Sequence, residues 1–434
     1  MFFERLVRSF DGVFEIFWIG ILGPKALAAY SLGYLFILFL RSFGMGIRIA
    51  GQSLVAHAVG SKDFEKASVV SAQMIILLFA YSVTLSLFGF FLTPFIISIM
   101  NLDTEVTGFA LDYMKSGFIS LIAIEAMFVF GSVFRGTGEP GILVVSMIAG
   151  TIVSVIAMPL FMFGFGSFEG IGIAGSFFGL GLGRLIGFLI MLFYLLKGWS
   201  QVFLKLRFFR PNLGIISSIL SIAWPATVQN LLERGSYLLL LRILTPFGAD
   251  ALAAWGVGNR VTMIARLPCF GLQGSTRTLV GQNLGASKPN RAVRTVQYTL
   301  TILVGIMGFL SIAQFLFSRD ISIFFGLVGS STSVASFALR VFSFGLIMES
   351  IRRVMAGAFQ GAGNSKPPML TQIIISWILM LPAAFYLSNS TGLREEGVWF
   401  AMLLAQCTGG CILFLWFFSW MKIKTSVNLG SKNV

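Results

Sequence analysis

Twelve apolar stretches, each about long enough to cross a bilayer, follow one another along this 434-residue sequence. Bounded by Gly, Pro and charge, they fall near 3–22, 27–57, 67–99, 106–134, 141–164, 171–196, 213–245, 251–283, 293–318, 332–359, 367–388 and 396–420. A water-soluble globule cannot bury that many such runs. Composition agrees, with 56% of residues apolar and only 11% charged, where soluble domains carry about 25% charged residues. Barrel strands are about 10 residues long and alternate polar with apolar, and these runs do neither. The chain is read as an all-α integral membrane protein with twelve transmembrane helices. Several runs pass 25 residues, which predicts tilted helices or helices projecting into water.

The formal net charge is +14, from 31 Lys and Arg against 17 Asp and Glu. In a soluble protein that excess would suggest nucleic acid, but here it sits between the apolar runs, so no nucleic-acid partner is expected. Loops after even-numbered spans hold Lys62, Lys66, Arg135, Lys197, Lys205, Arg207, Arg210, Lys288, Arg291, Arg294 and Lys366. Loops after odd-numbered spans hold mainly Lys25, Arg319 and Arg394, with the acids Asp103, Glu105, Asp250, Glu395 and Glu396. The positive-inside rule then predicts cytoplasmic even loops and two cytoplasmic termini, in the inner or cytoplasmic membrane of a prokaryote. Cys269, Cys407 and Cys411 lie inside apolar runs without CxxC or metal-ligand spacing and read as packed thiols. No secretory signal pattern opens the chain.

An internal repeat sets the domain organisation. Shifted by 225 residues, ALAAYSLG (26–33) falls on ALAAWGVG (251–258) without a gap. The register holds through Arg41/Arg266, Gly46/Gly271, Gly60/Gly285 and Ala67/Ala292, and RGTG (135–138) falls on QGAG (360–363). Six spans return the chain to its starting side, so the two halves are parallel repeats, a layout that secondary transporters use. The expected division is an N-terminal six-helix lobe at 1–196, a linker at 197–212, a C-terminal six-helix lobe at 213–421 and a cytoplasmic tail at 422–434. The linker, KGWSQVFLKLRFFRPN, mixes aromatics with bases and predicts an amphipathic segment on the anionic leaflet.

LGPKALAAYSL with VAHAVGSKDFEKA in the first half, and FGADALAAWGVGNR with LVGQNLGASKPNRA in the second, resemble the paired repeats of the multidrug and toxic compound extrusion (MATE) family. RGTG and QGAG stand where that family ends its fourth and tenth helices. The resemblance covers essentially the whole chain. It implies a twelve-helix antiporter that exports organic cations and other amphipathic compounds against Na⁺ or H⁺ entry, with no cofactor beyond that ion. The partners expected are a small amphipathic or cationic substrate and the lipid bilayer, around a monomer. Two departures stand out. Only 14 residues precede Glu15 in the first helix, so the true start lies upstream or the helix is clipped. The family's N-lobe cation-site positions correspond here to Ser154, Met158 before Pro159, and Leu180.

A carboxylate inside a bilayer is expensive, which makes each intramembrane acid a functional candidate. Glu15 lies nine residues before Pro24, the spacing at which the resemblance implies an acid in helix one. Asp11 is one turn earlier, with an Arg8–Asp11 anchor as its competing reading. Glu233, eight residues after Pro225, and Glu349, twelve before Gly361, match acids of the family's C-terminal half. For Glu349 an ion pair with Arg352 or Arg353 competes. Gln229 would add a neutral oxygen, and a Na⁺ site is expected, if anywhere, at Glu233 and Glu349. Arg41 and Arg266 are read as structural, and His57 as a polar helix terminus. The stretches GSFFGLGLG (175–183) and GIRIAG (46–51) read as close helix contacts.

The rival within the same wider superfamily is a flippase for a lipid-linked sugar or a phospholipid. An anionic head would need a basic cavity, for which Arg41, Arg184, Arg242, Arg266, Arg340, Arg352 and Arg353 are candidates. An intramembrane enzyme is disfavoured by one histidine, no HExxH and dispersed cysteines. No GxxxxGK[ST] is present, so no ATPase fits. A transport-dead structural relative is the remaining reading.

Overall fold

Charged, glycine and proline punctuation cuts the chain into helices close to the expected bounds. The computed structural model describes residues 2–100 and 102–430, without the side chains of residues 2, 3, 5, 6, 8, 9 and 423–430. Residues 431–434 of the expected tail therefore lie outside the described residues, and 423–430 are described in backbone only. The first half comprises α1 (Phe2–Ile21), α2 (Pro24–Gly60), α3 (Phe64–Ile99), α4 (Thr104–Thr137), α5 (Pro140–Phe163) and α6 (Ala174–Leu196). A two-stranded hairpin, β1 (Gly164–Phe165) and β2 (Phe168–Glu169), joins α5 to α6. The second half comprises α7 (Leu213–Leu244), α8 (Ala249–Ala265), α9 (Leu267–Gly285), α10 (Pro289–Leu316), α11 (Ser318–Phe324), α12 (Ser330–Gly361), α13 (Lys366–Gln372), α14 (Leu381–Ser390) and α15 (Arg394–Gly430).

Ten of these helical stretches are long and apolar enough to cross a membrane. Two more crossings come from α1, whose 20 residues include Glu4, Arg5, Arg8, Asp11 and Glu15, and from α8–α9, which is broken at Arg266. That makes twelve. The longest, α2 and α15, have 37 residues each and so run about 55 Å, well beyond a hydrocarbon core of about 30 Å.

The repeat keeps its register from α2 to α4. Adding 225 to the bounds of α2 gives 249–285, the bounds of α8–α9. For α3 the same shift gives 289–324, which α10 and α11 occupy; for α4 it gives 329–362, beside the 330–361 of α12. The halves differ where proline does. Pro268 lies in the first turn of α9, where it cannot donate to the helix before it, and α2 has no proline at the matching place. Before Pro382 the ladder widens into a π-helical stretch, Ile373–Met380, with the Leu381 N–H donating to the Ser376 carbonyl.

The chain forms two compact units, Met1–Thr227 and Val228–Val434. In the first, α5 and α6 meet along a glycine ridge. A Cβ on Gly175 or Gly179 would come within 2.5 Å of the backbone N of Met162 or Met158, and one on Gly187 within 2.8 Å of the Ser146 carbonyl. Gly183 lies against the Gly150 carbonyl and the Ser154 hydroxyl. The expected close contacts at 175–183 are therefore present. Those at 46–51 are too, with Gly46 against Ala223 and Thr227 and Gly51 against Met74.

Residues 197–212 lie on this unit rather than looping free. The Gln73 amide of α3 donates to the carbonyls of Phe208 and Arg210, both at 2.8 Å, and its oxygen accepts the Asn212 N–H at 2.9 Å. Glu139 accepts the Ser200 hydroxyl at 2.5 Å. Val202 and Phe208 are buried while Leu206 and Trp199 are exposed, which gives the segment two faces.

Each unit has two apolar clusters. In the first, one gathers Ile37, Tyr113, Phe118 and Ile124, and the other Ala50, Met74, Met127 and Phe134. In the second, Trp255, Val341 and Trp399 form one cluster and Cys269, Val354 and Phe359 the other. Along α2 and α4, and again along α8–α9 and α12, the break between clusters is filled by charge.

Candidate functional site: buried ion pairs in each half

Because an ionised side chain cannot remain unpaired among apolar helices at low cost, the partners of each acid describe the site. In the first unit Asp11 and Glu15 are one turn apart on α1, and both are buried. Asp11 forms a salt bridge with Arg184 of α6 and accepts the Thr151 hydroxyl of α5 at 3.2 Å. The other Asp11 oxygen and one Arg184 nitrogen (Nη1) are buried without a hydrogen-bond partner among the described residues. The Arg8 side chain, the partner weighed for Asp11 from sequence, lies outside the described residues. Arg184 meets Asp11 because α6 rides so closely on α5. Glu15 accepts the Tyr113 hydroxyl of α4 at 3.0 Å. Among the described residues no cation contacts Glu15.

Between the two apolar clusters of this unit sits an acid that the sequence reading passed over. Glu125 of α4 is fully buried and is held by two arginines of α2, by Arg41 Nε at 2.9 Å and by Arg48 Nη1. Both guanidinium groups lie over the Phe128 ring, at 5.3 and 5.7 Å. The signal was present: Glu125 lies deep in the apolar stretch 106–134, whose other acid, Asp112, stands near its start, so the reasoning that singled out Glu15 applies to it equally. Nearer one end, Arg135 pairs with Glu4 at 2.9 Å.

The second unit repeats the theme with different residues. Glu349 of α12 is paired with Arg266 at 2.5 Å and with Arg353 Nε at 2.9 Å. Arg353 also reaches Glu233 of α7 at 2.5 Å, while Arg352 stands 3.8 Å from the same carboxylate. Arg353 thus bridges the two acids and lies 5.0 Å from the Phe270 ring centre. Of the two i+3 and i+4 partners weighed for Glu349, the i+4 one, Arg353, is the one bonded. Arg352 instead donates to Gln372 at 2.9 Å. The repeat mates Arg41 and Arg266 make equivalent bonds, each to a buried glutamate of the helix that ends in RGTG or QGAG.

Gln229 belongs to a neighbouring layer. Its oxygen accepts from Gln360 at 3.3 Å, and the Gln360 oxygen accepts from Arg277 at 2.6 Å. Beside Glu349 and Arg266 a cavity of about 30 Å³ is lined by Tyr237, Trp255, Asn259 and Gln406. That is room for about one water molecule. The positions of the family's N-lobe motif serve packing: Ser154 donates to the Gly150 carbonyl at 2.9 Å, and Met158 lies buried against Gly179. His57 stands exposed in the last turn of α2, and Cys269 is buried. Among the described residues no group of three or more His, Cys, Asp or Glu is placed to hold a metal ion.

Twelve membrane-crossing helices in two sequence-related halves, with ionisable pairs buried in each, define a protein of the membrane-transporter class. The chain belongs to the MatE family, whose model matches residues 1–160 and again 225–386, once in each repeat. It is 24% identical over 405 residues to the probable multidrug resistance protein YoeA of Bacillus subtilis, covering 92% of this chain and 88% of that one. It is 23% identical over 407 residues to the multidrug export protein MepA of Staphylococcus saprophyticus, covering 94% and 88%. A crystal structure of a MATE protein in a bent conformation superposes with a TM-score of 0.92 at 20% identity, covering 98% of this chain and 94% of that one.

Proposed function

We propose that this protein is a secondary active efflux antiporter. It exports organic cations and other amphipathic xenobiotics, as a monomer working by alternating access, in exchange for H⁺ or Na⁺. The multidrug descriptions of YoeA and MepA support the substrate class. The observation that carries the exchange is the α1 pair. Of two buried carboxylates one turn apart, Asp11 is paired with the Arg184 guanidinium, and among the described residues Glu15 has only the Tyr113 hydroxyl. A dehydrated carboxylate without a cation is relieved by taking one up, and a proton needs no further ligands. H⁺ at Asp11 and Glu15 is therefore the leading form of coupling. Na⁺ at Glu233 and Glu349, with Gln229 beside them, would require Arg353 and Arg266 to swing away first.

In this reading the coupling ion arrives from outside, neutralises the α1 site and favours the conformation that releases the exported compound. The loops after even-numbered spans and both termini face the cytoplasm, with residues 197–212 against the inner leaflet. The excess of arginine over acid around Glu125 and Glu349 favours a second reading, a flippase for an anionic lipid head.

The test is efflux of ethidium from energised membrane vesicles. Glu15→Gln is expected to bind ethidium as wild type does and to lose at least about tenfold in gradient-driven efflux, the scale of one buried charge interaction. If Glu15→Gln pumps like wild type, the α1 pair is not the coupling site.

A further inference from the structure

The charge count around Glu125 does not close. Glu125 is fully buried, whereas the two arginines on it keep part of their side chains open, at 21% for Arg41 and 16% for Arg48. Each guanidinium spends one N–H on the carboxylate. A guanidinium has five N–H donors, and among the described residues neither arginine has another protein acceptor. The cluster therefore holds one surplus positive charge and a set of unused, partly open donors. Phe128 lies under both planes at 5.3 and 5.7 Å and keeps the two groups side by side. Elsewhere Arg353 is bonded to two carboxylates, and Arg184, bonded to Asp11, is only 3% exposed. A guanidinium at this depth in a membrane protein faces protein or a water-filled space rather than lipid.

We infer that Arg41 and Arg48, held on Glu125 over the Phe128 ring, form a subsite for the anionic head of an amphipathic molecule. A carboxylate, sulfonate or phosphate presents two oxygens to a guanidinium fork, and the paired forks match that geometry. Glu125 is the internal anion that holds the forks in place and limits how tightly they bind. The proposal extends the transporter reading, on which movement of the bound anion depends but its binding does not.

The experiment measures carboxyfluorescein binding by fluorescence anisotropy to the full chain in phosphatidylcholine nanodiscs, with ethidium as the cationic control. Arg41→Gln and Arg48→Gln are each expected to weaken carboxyfluorescein about tenfold, the scale of one charge-assisted hydrogen bond, and to leave ethidium unchanged. Arg48→Lys, which keeps the charge, is expected to retain most of the affinity. Glu125→Gln is expected to tighten it, a sign that a merely structural ion pair does not give. Phosphatidylglycerol added to the disc competes with the dye if the natural occupant is a lipid head, and leaves binding unchanged if it is a soluble organic acid. Failure of wild type to bind the dye, arginine variants that bind it like wild type, or arginine variants that lose ethidium together with it would each overturn the subsite. None of these readings involves transport, so failure here is separate from failure of efflux.

Discussion

Asp11 and Arg184 are the most completely buried ion pair of the first unit, at 5% and 3% side-chain exposure. Removing one partner leaves the other uncompensated, which costs about 3–5 kcal/mol, whereas removing both leaves two neutral groups. Asp11→Asn and Arg184→Gln should therefore each lower the melting temperature of the detergent-solubilised protein, and the double variant should recover much of the loss. Additive losses in the double variant would mean that the two side chains do not act as a pair. At this scale the sequence was half legible. Depth in an apolar run identified Asp11, Glu15, Glu233 and Glu349 as candidates, and the same rule would have found Glu125. Their partners were hidden, because Asp11 meets Arg184 across 173 residues and Glu125 meets Arg41 across 84. Only the folding of α6 onto α5, and of α4 onto α2, brings them together.

At the scale of the helix, glycine marks where backbones touch. Gly175, Gly179, Gly183 and Gly187 recur every four residues, one face of α6, and each meets α5 within a methyl's width. Gly305 and Gly308 of α10 have nothing within 4 Å of where a Cβ would stand. Gly183→Ala should thus separate α5 from α6 and cost at least about 1–3 kcal/mol by overpacking. Gly305→Ala should be neutral or stabilise by up to about 1 kcal/mol, through helix propensity. Thermal melts of the two variants side by side check this, and equal effects would contradict the ridge. The sequence marked the small-residue stretch 175–183 but could not name its partner helix. It likewise read α8–α9 as one span, 251–283, because hydropathy passes over a break that Pro268 makes in the backbone.

For the whole molecule the repeat was the most legible feature, since one offset of 225 found in short motifs proves to hold for entire helices. The chemistry did not follow the repeat. Arg41 and Arg266 are equivalent in position and each pairs with a buried glutamate, but Glu125 falls on Ser350 rather than Glu349; Arg184 falls on Gly409, and that glycine leaves room for the Arg352 side chain. Glu15 falls on Leu240, so the α1 acid has no counterpart in α7 at the same register. The two halves thus share a scaffold and differ in charge. Among the described residues the first unit alone carries a buried acid, Glu15, with no cation beside it, which is the ground for proposing ion exchange there. The most direct measurement uses the purified protein in liposomes loaded with ethidium, with a proton gradient or a Na⁺ gradient imposed alone. An inward proton gradient is expected to drive ethidium out, and a Na⁺ gradient at equal pH is not. Efflux driven by Na⁺ alone, or no efflux under either gradient, would contradict that expectation.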